Sequence, residues 1–290
     1  MKIGQRLFVT VATLVVLTVA IATAASAHTL FLKLDSFFLE PHSTGVVALI
    51  NGDFDNSENA ITRDRMLDVS VVGPEGVAHP PESAWTDSAM FHWNPDSVDT
   101  ALLTFETGAP GTYVIGTSTA ARVFTLTAEE FNEYLVHDGI VDAIRQREEA
   151  GKTNDEAVER YSKHVKALVQ VGDARSGEWA GELGYPAEFV PLRNPYELTV
   201  GDELQVRFLR AGEPVGNQLV YASYDDHHGH DQAGEHVEAV TARTNADGVA
   251  TIPLSGTGRW YVRAIHMVET VSEPGVDYES NWATLTFEVR

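Results

Sequence analysis

The chain has 290 residues, 43% of them apolar and none of them cysteine, and 42 Asp and Glu against 20 Lys and Arg give a formal charge of −22. That apolar content excludes global disorder, and the length fits one large or two ordinary domains. The acidity argues against nucleic-acid binding, which needs clustered Lys and Arg, and the missing thiols exclude disulfides, Cys-type zinc sites and a thiol nucleophile.

Residues 1–27 read as a secretory signal peptide. Lys2 and Arg6 supply the positive start, an apolar stretch runs from Leu7 to about Ala22, and Ala25-Ser26-Ala27 is a small-residue cleavage site. The apolar run is short for a membrane span. Cleavage after Ala27 makes His28 the first residue of a 263-residue exported, periplasmic chain, with no membrane insertion afterwards. Loss of the two basic residues takes the charge to −24.

From His28 to about Leu126, short β-like runs alternate with turn residues. Thr44–Ile50, Leu67–Val72, Ala101–Phe105 and Thr112–Ser118 are the clearest runs, separated by Asn51-Gly52, Gly73-Pro74 and Ala109-Pro110-Gly111. The pattern predicts a β-sandwich over 28–126. The period then changes. Thr127 with Glu130, and Thr153 with Glu156, have capping-box spacing. Phe131, Leu135, Ile140 and Ile144 follow the first box, and Val158, Tyr161, Val165, Leu168 and Val169 the second, all at helical spacing. This predicts two or three helices over about 128–170, inside a helical insertion and linker spanning 127–194.

Residues 195–290 are β-rich again, with runs at Gln205–Leu209, Leu219–Ser223, Val237–Thr244, Ala250–Leu254, Arg259–His266 and Thr284–Val289. Asn245-Ala246-Asp247-Gly248 reads as a hairpin turn. In the last run Ala283, Leu285, Phe287 and Val289 alternate with Trp282, Thr284, Thr286 and Glu288, which predicts one core face.

The expected terminal His28 is the sharpest chemical feature. Its α-amine and ring Nδ1 close a chelate ring on a divalent ion, and these nitrogens suit nickel, cobalt, copper and zinc better than calcium or magnesium. A second feature is the acidic, His-rich stretch Asp225-Asp226-His227-His228-Gly229-His230-Asp231, with Glu235 and His236 after it. It reads as an exposed loop with metal affinity, lacking the fixed spacing of a catalytic zinc motif. His266 lies near a strand end, as a hydrogen-bonded core residue or a ligand. Glu279 is a loop acid or a site carboxylate. His92, between Phe91 and Trp93, reads as core or loop; His42 and His79 neighbour prolines in turns; His137 and His164 are expected on solvent-facing helix surfaces. No G-x-S-x-G elbow, P-loop, dinucleotide fingerprint or H-E-x-x-H occurs, so an enzyme is not expected.

The chain resembles the exported bacterial proteins grouped as domain of unknown function 4198. The resemblance is carried by Ala27-His28-Thr29-Leu30-Phe31, Phe131–Leu135, Arg160–Gly172, Glu188–Leu192, Asn194-Pro195-Tyr196, Thr244–Gly248, Arg263–Met267 and Glu279–Phe287. It implies a periplasmic component of a nickel or cobalt uptake system that works with an inner-membrane transporter permease. It also implies that His28 is a ligand and raises His266 and Glu279 as site residues. Thr29 and Phe31 stand where the family commonly has an acid and a Trp. The expectation is thus a mainly β protein: two β-sandwich domains, Ig-like or carboxypeptidase-regulatory-like, flanking a helical insertion. His28, His266 and Glu279 would form its metal site, with His227, His228, His230 and His236 on an accessory loop. The alternatives are an interaction module using an aromatic patch around Trp85, Phe91 and Trp93, or an envelope hydrolase built on paired carboxylates.

Overall fold

The computed structural model describes residues 28–58, 61–89, 100–225, 227–230 and 236–290. The expected signal peptide, and His92 with Phe91 and Trp93, lie outside them. The first half holds β1 (Leu30–Lys33), β2 (Phe38–Leu39), β3 (Thr44–Asp53), β4 (Asn56–Ser57), β5 (Met66–Gly73), β6 (Gly76–Ala78), β7 (Trp85–Ala89), β8 (Thr100–Glu106), β9 (Gly111–Thr119) and β10 (Arg122–Leu126). Helices α1 (Ala128–His137) and α2 (Val141–Glu149) follow, then β11 (Ala157–Val171), β12 (Ala187–Pro191), β13 (Glu203–Arg210) and β14 (Glu213–Pro214). The remainder is β15 (Leu219–Tyr224), β16 (His228–His230), β17 (His236–Glu238), β18 (Val240–Arg243), β19 (Val249–Pro253), β20 (Gly258–Glu269) and β21 (Tyr278–Val289).

The protein is mainly β, and its sandwiches share a sheet. Ten strands form the central layer, ordered β18-β15-β20-β21-β11-β9-β5-β6, with β10 and β2 also on β11. A five-stranded sheet, β1-β3-β8-β7 with β4 on β3, covers one face together with the helix pair. Thr284 and Thr286 of β21 donate from that face to the Leu30 and Leu32 carbonyls of β1, at 2.9 and 2.6 Å. A four-stranded sheet, β12-β13-β14 with β19 on β13, covers the other face, where Lys166 of β11 meets Glu188 of β12 at 2.6 Å.

Helices form where the first capping box predicts them. The Thr127 side chain accepts from the Glu130 amide while the Glu130 carboxylate accepts from the Thr127 amide. Phe131, Tyr134 and Leu135 bury one side of α1 against Tyr278 and Trp282. The helix expected after the second capping box is absent: Ala157–Val171 is a fifteen-residue strand. It pairs with β10 and β9 antiparallel and with β21 and β2 parallel. Every residue from Ser162 to Val171 is buried, because a layer lies on each face. A doubly covered strand loses its apolar–polar alternation, so its period of two is hidden and chance spacing imitates a helix. Helix in the 127–194 segment is therefore confined, beyond single 3-10 turns, to α1 and α2.

Two further expectations change for the same reason. Asn245–Gly248 does form a turn, with the Asn245 side chain accepting from the Asp247 and Val249 amides. It passes the chain from β18 in the central sheet to β19 in the four-stranded sheet, however, and closes no hairpin. In β21 both faces are buried, because the threonine face meets β1.

Candidate functional site

His28 enters the fold immediately before β1. Its Nε2 lies 3.1 Å from Glu58 Oε2, just past β4, and the ring is largely buried. Backbone pairing fixes the approach: the Gly52 amide donates to the Thr29 carbonyl at 3.0 Å, and Leu30 pairs with Asn51. From beneath, the Lys163 ammonium of β11 donates to the His28 carbonyl and, at 2.9 Å, to Asn51 Oδ1.

The charges tune this end of the molecule. Burial and then Lys163 push the His28 pKa down, against a rise from Asp53. The ring is therefore neutral at pH 7, the form that coordinates metal. Glu58 is raised by burial and by Asp53, and lowered by His137 at the end of α1. Lys163 is pushed down to about 7, chiefly by burial. Two buried carboxyls under the helices rise: Asp138 to about 7 and Glu159 to about 8, each mainly by desolvation. Each has one oxygen without a hydrogen-bond partner among the described residues, Asp138 Oδ2 and Glu159 Oε2. Tyr134 donates to Glu159 at 3.2 Å, and Ser280 also donates to it.

His266 and Glu279 stand elsewhere. Lys163 and His164 are consecutive in β11, so their side chains point to opposite faces of the central sheet. Lys163 faces His28. His164 faces the other way, with Nε2 3.2 Å from Asn281 Oδ1, and Asn281 pairs in register with His266. The central sheet thus separates His28 from His266 and Glu279, and one ion cannot bridge them. His266 Nδ1 lies 2.8 Å from Gln218 Oε1, its pKa lowered by burial and by Arg210. Glu279 meets Arg210 at 2.5 Å, Asn281 at 3.1 Å and Arg160 at 3.9 Å. Its charge is already compensated by two guanidinium groups.

Part of the His-rich stretch is strand. His228 and His230 lie on β16 and His236 on β17, an antiparallel two-stranded sheet. His227 sits at its foot, its ring stacked on Tyr224 at 4.3 Å, and Tyr224 stacks on Trp260 at 4.4 Å. Among the other histidines, His137 and His42 are exposed, and His79 lies 3.7 Å from Asp68. His164 is buried, contrary to expectation, between Ser118 and Ser162; desolvation brings its pKa down to about 4. Trp85 is a core residue at 8% exposure and offers no surface patch.

Sequence reasoning missed Glu58, Asp53, Lys163, Asp138 and Glu159. For Glu159 and Lys163 the sequence carries no signal that could have found them, since Ala157–Val171 mixes polar and apolar residues throughout. Among the described residues no three His, Asp or Glu side chains form a ready metal cage. No described helix is long and apolar enough to cross a membrane.

The family profile for domain of unknown function (DUF4198) matches residues 25–268. The chain belongs to this family. No curated protein matches the sequence. Among solved structures, the chain is similar to the D0-D1 domain of intimin at 12% identity, covering 88% of this chain and 96% of that one, with a TM-score of 0.21. It is also similar to latent PorU from Porphyromonas gingivalis at 12% identity, 90% and 20% coverage, and a TM-score of 0.20. A third is trypsin-activated alpha-2-macroglobulin from Escherichia coli at 14%, 90% and 16%, with a TM-score of 0.22. The chain spans about a fifth or less of the last two proteins. Likenesses this low carry no functional argument.

Proposed function

We propose that the exported chain, cleaved after Ala27, binds one transition-metal ion at His28 through its α-amine and Nδ1 and delivers it to an inner-membrane transporter. Nickel and cobalt are the physiological candidates, and the protein performs no catalysis. The observation that carries the reading is the His28 Nε2–Glu58 contact at 3.1 Å. A carboxylate on one ring nitrogen fixes the tautomer with its lone pair on the other, the usual support for a metal-ligating histidine. Here the other nitrogen is Nδ1, the atom that closes a chelate with the α-amine. The depressed His28 pKa removes proton competition at neutral pH. Asp53 and Glu58 supply negative charge next to the incoming cation. His266 and Glu279 are structural partners of Gln218 and Arg210 in this reading.

The test is calorimetry with elemental analysis on protein with an authentic His28 terminus, against protein carrying one extra N-terminal residue. A stoichiometric nickel or cobalt site present only with the authentic terminus supports the proposal. Equal binding by both proteins at every site, or none, removes it. Copper will bind more tightly than nickel at such nitrogens, so affinity alone does not name the cargo.

A further inference from the structure

Two side chains from different layers meet in the interior at Lys163 and Asn51. Lys163 lies on β11 of the central sheet and Asn51 on β3 of the five-stranded sheet, and both are buried. Lys163 Nζ donates to Asn51 Oδ1 at 2.9 Å, from a position 112 residues along the chain. With a C=O bond of about 1.23 Å, that contact holds Nζ within about 4 Å of Asn51 Cγ, close to the separation of atoms poised to react.

Both ends of the contact are fixed. Asn51 pairs in register with Leu30; its amide donates to Ser57 Oγ at 3.2 Å, and its carbonyl accepts from the Glu58 amide at 3.1 Å. Lys163 Nζ also donates to the His28 carbonyl and lies 5.5 Å from the centre of the Trp282 ring. Burial favours the neutral lysine amine, which is the nucleophilic form. The same interior holds a carboxyl that can carry protons. Asp138 is near enough for the charges of Lys163 and Asp53 to act on it, and its Oδ2 has no hydrogen-bond partner among the described residues. Burial favours its protonated form.

We propose that, once the chain has folded, Lys163 and Asn51 join in an intramolecular isopeptide bond. The Nζ lone pair attacks Asn51 Cγ, and the carbonyl electron pair moves onto Oδ1. Asp138 gives its proton to the departing Nδ2 and takes one back from Nζ. The carbonyl re-forms, the Cγ–Nδ2 bond breaks and one ammonia leaves. The step exchanges one amide for another, so nothing is oxidised or reduced and no metal takes part. The product ties β3 to β11, and so the five-stranded sheet to the central one, in a chain whose lack of cysteine rules out a disulfide. The joined Lys163 carries no charge, and its remaining N–H still serves the His28 carbonyl.

The test is intact mass and peptide mapping of the folded exported chain, with no metal added. The chain should be lighter than its sequence by one ammonia, and a branched peptide should connect the segment holding Asn51 to the one holding Lys163. Asn51→Ala and Lys163→Arg should each restore the full mass and abolish the branched peptide. Asn51→Asp should form the same bond with loss of water in place of ammonia. A wild-type chain of full mass without the branched peptide overturns the proposal. So does a loss of ammonia that survives Lys163→Arg, because that marks ring closure of Asn51 onto the Gly52 amide instead. Asp138→Asn should slow the appearance of the branched peptide by about tenfold or more. An unchanged rate would overturn the part given to Asp138 as proton carrier.

Discussion

The two faces of the central sheet handle similar residues in different ways. On one face, His28 Nε2 meets Glu58 while Lys163 and Asp53 set its charge. On the other, His266 is held by Gln218, and Glu279 is neutralised by Arg210 and Arg160. Both faces carry a histidine with a lowered pKa near an acid. What separates them is the partner: a carboxylate on the histidine fixes its tautomer, while guanidinium groups on the acid compensate its charge.

Breaking the buried pair of the four-stranded side should have the largest effect. Lys166 and Glu188 are each about 2% exposed, and Glu188 also accepts the Leu183 and Gly184 amides. Glu188→Ala should cost about 3–5 kcal/mol in urea unfolding, because it leaves a buried ammonium with only the Gly181 carbonyl and no counter-ion, and two amides without their acceptor. Unfolding at the wild-type midpoint would show the pair to be dispensable.

The helix side should respond to pH instead. The Glu159 and Asp138 carboxyls are raised in the folded state, so the folded chain holds protons that the unfolded chain has released. Their favourable contribution is present below about pH 4 and is lost as pH rises through about 7 for Asp138 and about 8 for Glu159. The slope for each group approaches about 1.4 kcal/mol per pH unit at most. Lys163 runs the other way, since its folded pKa is lowered; its penalty begins to lift only above about pH 7. Glu159→Gln should therefore flatten the stability profile between pH 5 and 8. An unaltered slope would mean that Glu159 is ionised in the fold.

Metal affinity sharpens the comparison directly. Glu58→Gln should weaken nickel binding at an authentic His28 terminus by about 10–100-fold. His266→Ala and Glu279→Gln should change it by less than threefold. If His266→Ala abolishes binding while Glu58→Gln is silent, the assignment of the two faces is reversed.

Smaller effects test the supports. Thr286→Val removes a hydroxyl donor to the Leu32 carbonyl and should cost about 1–2 kcal/mol, because a buried acceptor loses its partner. Thr127→Ala removes the cap of α1 and should cost about 1 kcal/mol. Both are measurable as shifts in the denaturation midpoint.

The Thr127–Glu130 box and the runs that became β3, β5, β8, β9 and β13 were legible in the chain because capping chemistry and flanking turn residues act within a few positions. Ala157–Val171 was misread as a helix because layers on both faces erase its alternation, whereas β21 was legible as a strand and only the burial of its threonine face against β1 was not. At the candidate site, His28 stands out in the sequence as the residue after the expected cleavage point, and the structure puts it beside Glu58. Glu58, Lys163 and the separation of His28 from His266 were not legible there, because they depend on strand pairing across more than a hundred residues.

The sequence by itself determined a mainly β, acidic, thiol-free chain of this family, with a helical start at the Thr127–Glu130 box. Only the tertiary structure decided that both halves share one central sheet, and which face of it each ionisable side chain occupies. The physical reason is that composition and periodicity are local quantities. The partner and desolvation that turn a histidine or a carboxylate into a site, or into a structural contact, arise only when distant strands are brought together.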